Sequence, residues 1–214
     1  MNIILFEDHF SCYLEPFSQM HATFEIRCGK FTNLERLLNL LEPTDSLIMI
    51  VRDCIKNLIK ERFPNAIVNP PEISAGLWLN GATVWDKYNL QKIKSGHSFG
   101  RDDILFGFMS NDTILFNEKE NLLNQMKSVI TKLDVNHIFY LWDTIKLNHR
   151  QIIDDFNYNS RRFKCKIHPS AVLVEEDKIS IGNNSIISGG CVLDASDGPI
   201  IIGNRVNISI GCLI

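Results

Sequence analysis

The sequence predicts an α/β protein with a mostly parallel sheet, followed by a short parallel β-helix. From residue 1 to about 160, short aliphatic runs alternate with amphipathic stretches, a pattern typical of parallel strands joined by helices. After Lys166, aliphatic residues instead recur at every sixth position, which is the period of a hexapeptide repeat. The predicted organisation is therefore an α/β domain at 1–160, a linker at 161–166 and a β-helix at 167–214.

The elements of the first domain follow from local patterns. Asn2–Phe6 and 47–51 are continuous apolar runs and are predicted as buried strands. Between them, Thr32 and Glu35 form a capping box for a helix that ends before Pro43. A second helix is predicted at 53–62 and a third at 118–133. Further strands are predicted at 66–68, 77–80, 104–109, 113–116 and 137–142.

The second half has three sets of aliphatic anchors with a spacing of six residues. These are Ile167, Leu173 and Ile179, then Ile181, Ile187 and Leu193, then Ile202, Ile208 and Ile214. Small residues such as Ala171 and Cys191 follow many anchors at the fourth position, as a narrow prism core requires. Two β-hairpins with coincidental spacing are the alternative. Because the repeat supplies only about two to three coils, we expect that the natural chain continues or that another subunit covers the last coil.

The composition excludes several classes of protein. The chain has 214 residues, a net charge of -3, 45% hydrophobic residues and six cysteines. The absence of any basic run argues against a nucleic-acid or membrane-surface partner. No stretch approaches the roughly 18 apolar residues that span a bilayer, and the N-terminus lacks a basic segment, so a cytoplasmic location is predicted. The cysteines lack metal-binding spacing.

Several short segments, taken in order, resemble a known family. They are Ile3-Ile4-Leu5-Phe6-Glu7-Asp8, Leu14-Glu15-Pro16-Phe17, Glu25-Ile26-Arg27-Cys28-Gly29, Leu79-Asn80-Gly81, Trp142-Asp143-Thr144-Ile145 with Asn148, and the stretch from Leu193 to Gly203. The chain is similar to bacterial sugar-phosphate nucleotidyltransferases, distant relatives of the bifunctional N-acetylglucosamine-1-phosphate uridylyltransferase/glucosamine-1-phosphate acetyltransferase. The resemblance implies a Rossmann-like nucleotidyltransferase domain followed by a left-handed β-helix longer than residues 167–214 can form.

The implied reaction joins a sugar 1-phosphate to a nucleoside triphosphate and needs cations and Mg²⁺ near the carboxyl ends of strands. Arg27 and Lys30 are the candidate catalytic cations, with a surface ion pair between Arg27 and Glu25 as the alternative. Asp8 and Asp143 are the candidate Mg²⁺ ligands, with solvated or capping carboxylates as the alternative. The substrate-binding candidates are Glu25, Gly29, Asn80, Gly81 and Trp142, although Asn80-Gly81 is also a preferred turn pair.

Three functions stay open at this point. The first is an enzyme that makes a nucleotide sugar for polysaccharide or cell-wall synthesis. The second is a catalytically decayed module that binds a sugar nucleotide or serves in assembly. It is favoured by the missing Gly-rich loop after Phe6, by Met20-His21-Ala22 where relatives have Thr-Arg-Pro, and by Ala82 where they have Arg. The third is a hexapeptide-repeat acyltransferase, if the chain continues. The β-helix further predicts a homo-oligomer, a trimer.

Overall fold

The computed structural model describes residues 1–93, 97–157 and 165–214. The chain forms two compact units, of which the first comprises Met1–Arg27 and Phe31–Thr144 and the second Cys28–Lys30 and Ile145–Ile214. Residues 158–164 lie outside the described part of the chain. The predicted domain end at 160 and most of the predicted linker at 161–166 fall there, so these boundaries stay a prediction.

Short strands outnumber helices in the described part of the chain. In chain order, the strands are β1 Asn2–Phe6, β2 Arg27–Cys28, β3 Phe31–Thr32, β4 Ser46–Ile50, β5 Ile67–Val68, β6 Glu72–Ile73, β7 Gly76–Asn80, β8 Thr83–Val84, β9 Ser98–Arg101, β10 Ile104–Ser110, β11 Ile114–Leu115, β12 Ile130–Lys132, β13 Asn136–His137, β14 Lys166–Ile167, β15 Val172–Val174, β16 Ile179–Ile181, β17 Ile186–Ile187, β18 Val192–Asp194, β19 Ile200–Ile202 and β20 Asn207–Ile208. The α-helices are α1 Asn33–Leu38, α2 Lys56–Arg62, α3 Lys87–Lys92, α4 Lys119–Lys127 and α5 Asp143–Asn157. Short 3₁₀ helices cover His9–Leu14, Phe17–Gln19, Thr23–Glu25, Asp53–Ile55, Phe116–Glu118 and Glu176–Lys178.

The first unit is built on a seven-stranded sheet with the order β12-β9-β10-β7-β1-β4-β5. Strands β7, β1, β4 and β5 are mutually parallel, whereas β10 runs antiparallel to both of its neighbours. The chain moves outward from β1 to β4 and β5, and then returns to the other side of β1 to form β7. This reversal places a crevice at the carboxyl ends of β1 and β7, where open α/β sheets bind their ligands.

Both faces of this sheet are covered by helices. Ile3 and Leu5 of β1 pack on one face with residues of α1 and α2. Ile4 and Phe6 pack on the other face with Leu123 of α4. This alternation follows from the two-residue period of a strand, and it confirms the predicted α/β class with a large, mostly parallel sheet.

Two elements predicted near residue 130 are different in the structure. The helix predicted at 118–133 ends at Lys127, and Ile130–Lys132 instead forms β12, which pairs in parallel with β9. The run Val129-Ile130-Thr131 is β-branched at every position, which favours a strand over a helix. The Ser128 hydroxyl donates to the Gln125 carbonyl oxygen at the helix end. The predicted helix was therefore too long.

The strand predicted at 137–142 is also largely wrong. Only Asn136–His137 is a strand, and the unpredicted helix α5 begins at Asp143. The Asp143 carboxylate accepts hydrogen bonds from the backbone N–H groups of Phe139 and Tyr140. Because these two groups bond to a side chain, they are not available to a strand ladder.

The second unit contains small sheets whose strands pair in parallel. β14 pairs with β17 and β17 with β20, β15 pairs with β18, and β16 pairs with β19. Paired residues are 20 or 21 positions apart, as in Leu173 with Leu193 and Ile181 with Ile202. The anchors Ile181, Ile187 and Leu193 are buried together in one apolar cluster. Hairpins would pair antiparallel, so the hairpin alternative does not describe these strands.

Within the three described ranges, no helix combines the length and apolar character needed to cross a membrane.

Candidate functional site

Two predicted site residues meet at the crevice between β1 and β7. Asp8 follows β1, and Asn80 ends β7. The Asn80 Nδ2 group donates to Asp8 Oδ2 at 2.8 Å and to the Leu105 carbonyl oxygen at 3.1 Å. Asn80 Oδ1 accepts from the backbone N–H of Ala82 at 3.0 Å. Since Asn80 is fully buried and both its amide hydrogens are used, it acts as a fixed support that orients the Asp8 carboxylate.

Asp8 also shapes the segment that follows the first strand. Its Oδ1 atom accepts from the backbone N–H of Phe10 at 3.0 Å and caps the 3₁₀ helix His9–Leu14. This capped helix stands where the wider uridylyltransferase group is expected to have a Gly-rich loop. The carboxylate is therefore held from two sides, by the helix it caps and by Asn80.

Glu7 and Arg52 form a buried ion pair that no sequence pattern indicated. Arg52 Nε lies 3.1 Å from Glu7 Oε2, and the Glu7 side chain is only 2% exposed. Arg52 Nη2 also donates to the carbonyl oxygens of Ser18 at 2.8 Å and His21 at 3.0 Å. Arg52 lies two positions after the last residue of β4, and that position was the one signal that could have identified it. The pair ties the carboxyl ends of β1 and β4 together.

A cavity of about 500 Å³ opens beside this ion pair, and we call it the β1–β4 cavity. Its walls come from the ends of β1 and β4, from the 3₁₀ helix His9–Leu14, and from one face of α4. Its polar lining residues are Glu7, Asp8, His9, Ser11, Cys12, Arg52, Asp53, Lys119, Glu120 and Lys127. No sequence signal selected the two lysines, because α4 alone has the pattern of an ordinary amphipathic helix.

A second cavity, of about 470 Å³, lies in the same unit near the start of β10, and we call it the aromatic cavity. It is lined by Phe10, Arg101, Asp102, Asp103, Ile104, His137, Phe139 and Asp143. The Phe10 and Phe139 rings are 4.9 Å apart. Of these residues, only Asp143 was selected from the sequence. The others come from separate parts of the chain and have no common motif.

His137 is a buried titratable group in the aromatic cavity. Its Nδ1 atom is 3.0 Å from Thr83 Oγ1. Burial lowers the pKa of His137 to about 4, with Arg101 acting in the same direction and Asp8 and Asp143 opposing it. The imidazole is therefore neutral near pH 7, when it can donate one hydrogen bond and accept another.

Arg27 and Glu25 have other partners than the sequence predicted for them. The Arg27 side chain is about half exposed and its Nη2 atom lies 3.3 Å from Glu35 Oε2. The alternative predicted from the sequence, an ion pair between Arg27 and Glu25, is therefore wrong, because Arg27 pairs with Glu35 instead. Glu25 instead pairs with Arg62 Nη1 at 3.0 Å, and its Oε2 atom accepts from the backbone N–H of Ala22. Neither residue lines the two cavities described above.

Gly29 and Lys30 belong to the second unit, where their backbone bonds to α5. The Gly29 N–H donates to Asn148 Oδ1 at 2.9 Å, and the Lys30 N–H donates to Asp155 Oδ2 at 2.7 Å. Gly29 has φ of +74°, and a Cβ atom there would collide with the Asp155 carboxylate and lie 2.9 Å from Gln151 Cβ. A glycine is therefore required by packing, whatever role in substrate binding it has.

Gly81 and Trp142 complete the predicted set. The Gly81 N–H donates to the Phe6 carbonyl oxygen at 2.9 Å, and a Cβ atom on Gly81 would lie 2.7 Å from Thr23 Oγ1. Trp142 is 56% exposed and stacks on the Tyr140 ring, with the centroids 4.6 Å apart. Gly81 thus follows Asn80 in the crevice, while Trp142 presents an aromatic face to solvent.

The donor set fits a magnesium ion of the kind that nucleotides bring with them. In the described ranges, no group of three His, Cys, Asp or Glu side chains is arranged to hold a metal. Mg²⁺ in phosphate-transfer sites, however, needs only one or two carboxylates together with water and substrate phosphates. Each Asp8 oxygen accepts one recorded hydrogen bond, which leaves lone pairs for such an ion.

An open α/β sheet with a crevice at the strand-order reversal has its expected ligand site in that crevice. The chain matches the model of the sugar nucleotidyl transferase family over residues 3–162, and it belongs to that family. The family implies nucleotide and sugar-phosphate substrates, and the match supports a nucleotidyltransferase-type function. No curated protein matches the chain. The closer relation to the bifunctional uridylyltransferase/acetyltransferase stays a prediction.

Proposed function

We propose that the protein transfers a nucleotidyl group from a nucleoside triphosphate to a sugar 1-phosphate. A phosphate oxygen of the sugar 1-phosphate attacks the α-phosphorus and forms a new P–O bond. The bond between the α-phosphorus and its bridging oxygen breaks, and pyrophosphate leaves with the electron pair. The observation that supports this best is the Asp8 carboxylate, held by Asn80 at the crevice. It lines the β1–β4 cavity and acts electrostatically on His137 of the aromatic cavity.

The residues around Asp8 have distinct tasks in this proposal. Asp8 would hold Mg²⁺, with Asp143 as the second predicted ligand, and the bound ion would neutralise charge on the phosphate oxygens. Asn80 orients Asp8 and is a positioning residue. The buried Glu7–Arg52 pair fixes the two strand ends, so the site is organised before substrate arrives and alignment costs little at the moment of reaction.

We place the sugar in the aromatic cavity. Phe10 and Phe139 are partly buried there, so their ring faces can pack against the apolar C–H face of a sugar ring. Asp102 and Asp103 supply carboxylate oxygens, which accept hydrogen bonds from sugar hydroxyls. The exposed Trp142 ring, stacked on Tyr140, adds a further aromatic surface in the same unit.

The second unit is proposed to be a left-handed β-helix of hexapeptide repeats that assembles the protein into a trimer. The parallel strand pairs at 20 or 21 residue intervals and the shared burial of the anchors support this. The product would be a nucleotide sugar for polysaccharide or cell-wall synthesis, made in the cytoplasm, where nucleoside triphosphates are available.

A binding module without catalysis is the second candidate. The placement of the arginines favours it, because Arg27 faces Glu35, Arg52 faces Glu7 and Arg62 faces Glu25. Each of these cations already has a carboxylate partner. The acyltransferase alternative rests on the repeat alone, and no described contact supports it.

A pyrophosphate-release assay separates these candidates. The protein is incubated with Mg²⁺, with UTP, dTTP, CTP or GTP in turn, and with a panel of sugar 1-phosphates, while nucleotide binding is followed by calorimetry. Transfer predicts pyrophosphate release that requires both substrates and matches the sugar nucleotide formed. Nucleotide or sugar-nucleotide binding without any release would identify the binding module instead.

A further inference from the structure

The β1–β4 cavity contains a pair of cations that no sequence motif identified. We propose that Lys119 and Lys127 of α4 bind the polyphosphate chain of the nucleotide and the pyrophosphate that it releases. That the polyphosphate belongs to a nucleotide rests on the proposed function. The binding of a polyphosphate by the two lysines does not depend on it. The proposal assigns to a helix the phosphate contacts for which Arg27 and Lys30 were the candidates predicted from the sequence.

The geometry of α4 turns both lysines toward the same cavity. Lys119, Leu123 and Lys127 are spaced by four residues and so share one helix face. All three line the cavity, and Leu123 is buried in the core beneath it. Lys119 is only 23% exposed, and its Nζ atom lies 4.1 Å from the centre of the Phe116 ring. Both side chains are partly buried, so their stems are packed rather than fully solvated.

The third cation of this cavity is already neutralised. The Arg52 guanidinium bonds to both Glu7 carboxylate oxygens, at 3.1 and 3.3 Å, and to two backbone carbonyl oxygens. The nearest recorded carboxylate to Lys119 is that of Glu120, at 3.8 Å, and the Glu120 side chain is 70% exposed. No ion pair is recorded for Lys127 with any residue in the described ranges. Of the cations that line the cavity, the two lysines are thus the ones able to exchange water for a phosphate.

The charge of the cavity also selects the form of the ligand. Besides the Glu7–Arg52 pair, it contains the carboxylates of Asp8 and Asp53 near the strand ends, and that of Glu120 beside Lys119 on α4. A bare anion would meet more negative than positive charge there, which is repulsive at short range. A polyphosphate that arrives with Mg²⁺ complements both kinds of charge in the cavity. The ion can face the carboxylates, and the phosphate oxygens can face the lysines. The expected ligand is therefore a magnesium polyphosphate rather than inorganic phosphate.

The test measures binding of inorganic tripolyphosphate with Mg²⁺ by calorimetry, which needs neither a base nor a sugar. We expect K119Q and K127Q each to weaken binding by about tenfold to a hundredfold, the range for loss of one charge-assisted contact. K127R keeps the charge and is expected to retain most of the affinity. K132Q is the matched control, because Lys132 is exposed on β12 and lines neither cavity. The melting temperature of every variant is expected to match that of the parent protein.

Three outcomes would overturn the proposal: no tripolyphosphate binding by the parent protein, unchanged binding by K119Q and K127Q, or an equal loss in K132Q. Loss confined to the two α4 variants supports it. The proposed function is judged separately by pyrophosphate release. Polyphosphate binding without nucleotidyl transfer would support the lysine site and contradict the proposed enzyme activity. Nucleotidyl transfer that neither variant changes would support the enzyme activity and contradict the lysine site.

Discussion

Asp8 is the residue on which most of the proposed chemistry depends. Its carboxylate is held by Asn80 Nδ2 and by the backbone N–H of Phe10. D8N keeps the shape of the side chain but removes its charge. We expect it to slow nucleotidyl transfer by about a hundredfold or more, similar to the loss of one preorganised electrostatic group, and to raise the Mg²⁺ concentration required.

The control for this prediction is D112N, because Asp112 is exposed in the turn after β10 and lines neither cavity. Rates are measured by pyrophosphate release over a Mg²⁺ titration. If D8N had the same rate and the same Mg²⁺ requirement as the parent protein, Asp8 would not be part of the site.

Arg27 provides a contrast to the lysines of α4. Its guanidinium lies 3.3 Å from Glu35 at the protein surface, and exposed ion pairs contribute about 0–1 kcal/mol to stability. We therefore expect R27A to change both the melting temperature and the affinity for magnesium tripolyphosphate little. A tenfold loss of affinity in R27A, measured by the same calorimetry, would restore Arg27 to its predicted role as a phosphate ligand.

Burial of His137 makes the free energy of unfolding of the first unit depend on pH. Its pKa is about 4 in the folded protein because the imidazole is buried, against 6.5 for the ordinary side chain. The unfolded chain therefore takes up the proton first as the pH falls. The contribution of His137 to the free energy of unfolding is constant above about pH 6.5 and declines from there to about pH 4, by about 3 kcal/mol in total.

Urea unfolding of the parent protein, H137Q and H97Q between pH 7 and pH 5 tests this pH dependence. His97 is exposed, so H97Q is expected to keep the decline in acid, and H137Q is expected to show a shallower one. Equal pH dependence in all three proteins would mean that His137 is not the source.

At the scale of elements, polar contacts help to hold α5 in place. Gln151 and Asp155 are buried, while Ile145 is 76% exposed. The Asp155 and Asn148 side chains instead accept hydrogen bonds from the backbone of Lys30 and Gly29. The buried positions of α5 thus include polar side chains, which a search for apolar residues does not select.

The contact between Gly29 and α5 can be tested with one added methyl group. G29A must adopt a positive φ and also displace the Asp155 carboxylate, so we expect a loss of about 1–3 kcal/mol in the free energy of unfolding. Gly198 is in the same unit with no atom within 4 Å of its Cβ position, and G198A is expected to change stability by less than about 0.5 kcal/mol. Equal stability of the two variants in urea would contradict this packing role.

At the scale of the whole molecule, the second unit presents apolar side chains on its outside. Val172, Ile186 and Val206 are exposed, and Ile186 lies next to the buried anchor Ile187. Aliphatic residues in such outward positions favour association with further copies of the chain. We expect light scattering to give a mass three times that of one chain, and I186E to lower it.

The control for this mass is I67E, because Ile67 is an exposed isoleucine in the first unit and its substitution is expected to leave the trimer intact. A monomer at tens of micromolar concentration would contradict the trimer, as would an I186E protein with the parent mass. The fold of the variants is checked by circular dichroism.

The sequence by itself determined the features that depend on neighbouring residues. Thr32 and Glu35 form the predicted capping box, with hydrogen bonds of 3.1 and 2.8 Å. Of the aliphatic residues at six-residue spacing, Ile181, Ile187 and Leu193 are buried in one cluster, whereas Ile214 is 51% exposed. The apolar runs located β1 and β4. These features succeed because a cap or a strand period is set within a few residues along the chain.

The tertiary structure alone decided which residues surround the candidate site. Glu7 and Arg52 are 45 positions apart, and Asn80 reaches Asp8 across 72 positions. Lys119 and Lys127 enter the β1–β4 cavity only because α4 packs on the face of the sheet that contains Ile4 and Phe6. No local pattern encodes such proximity, because it is set by the order of the strands and by the face on which each helix packs.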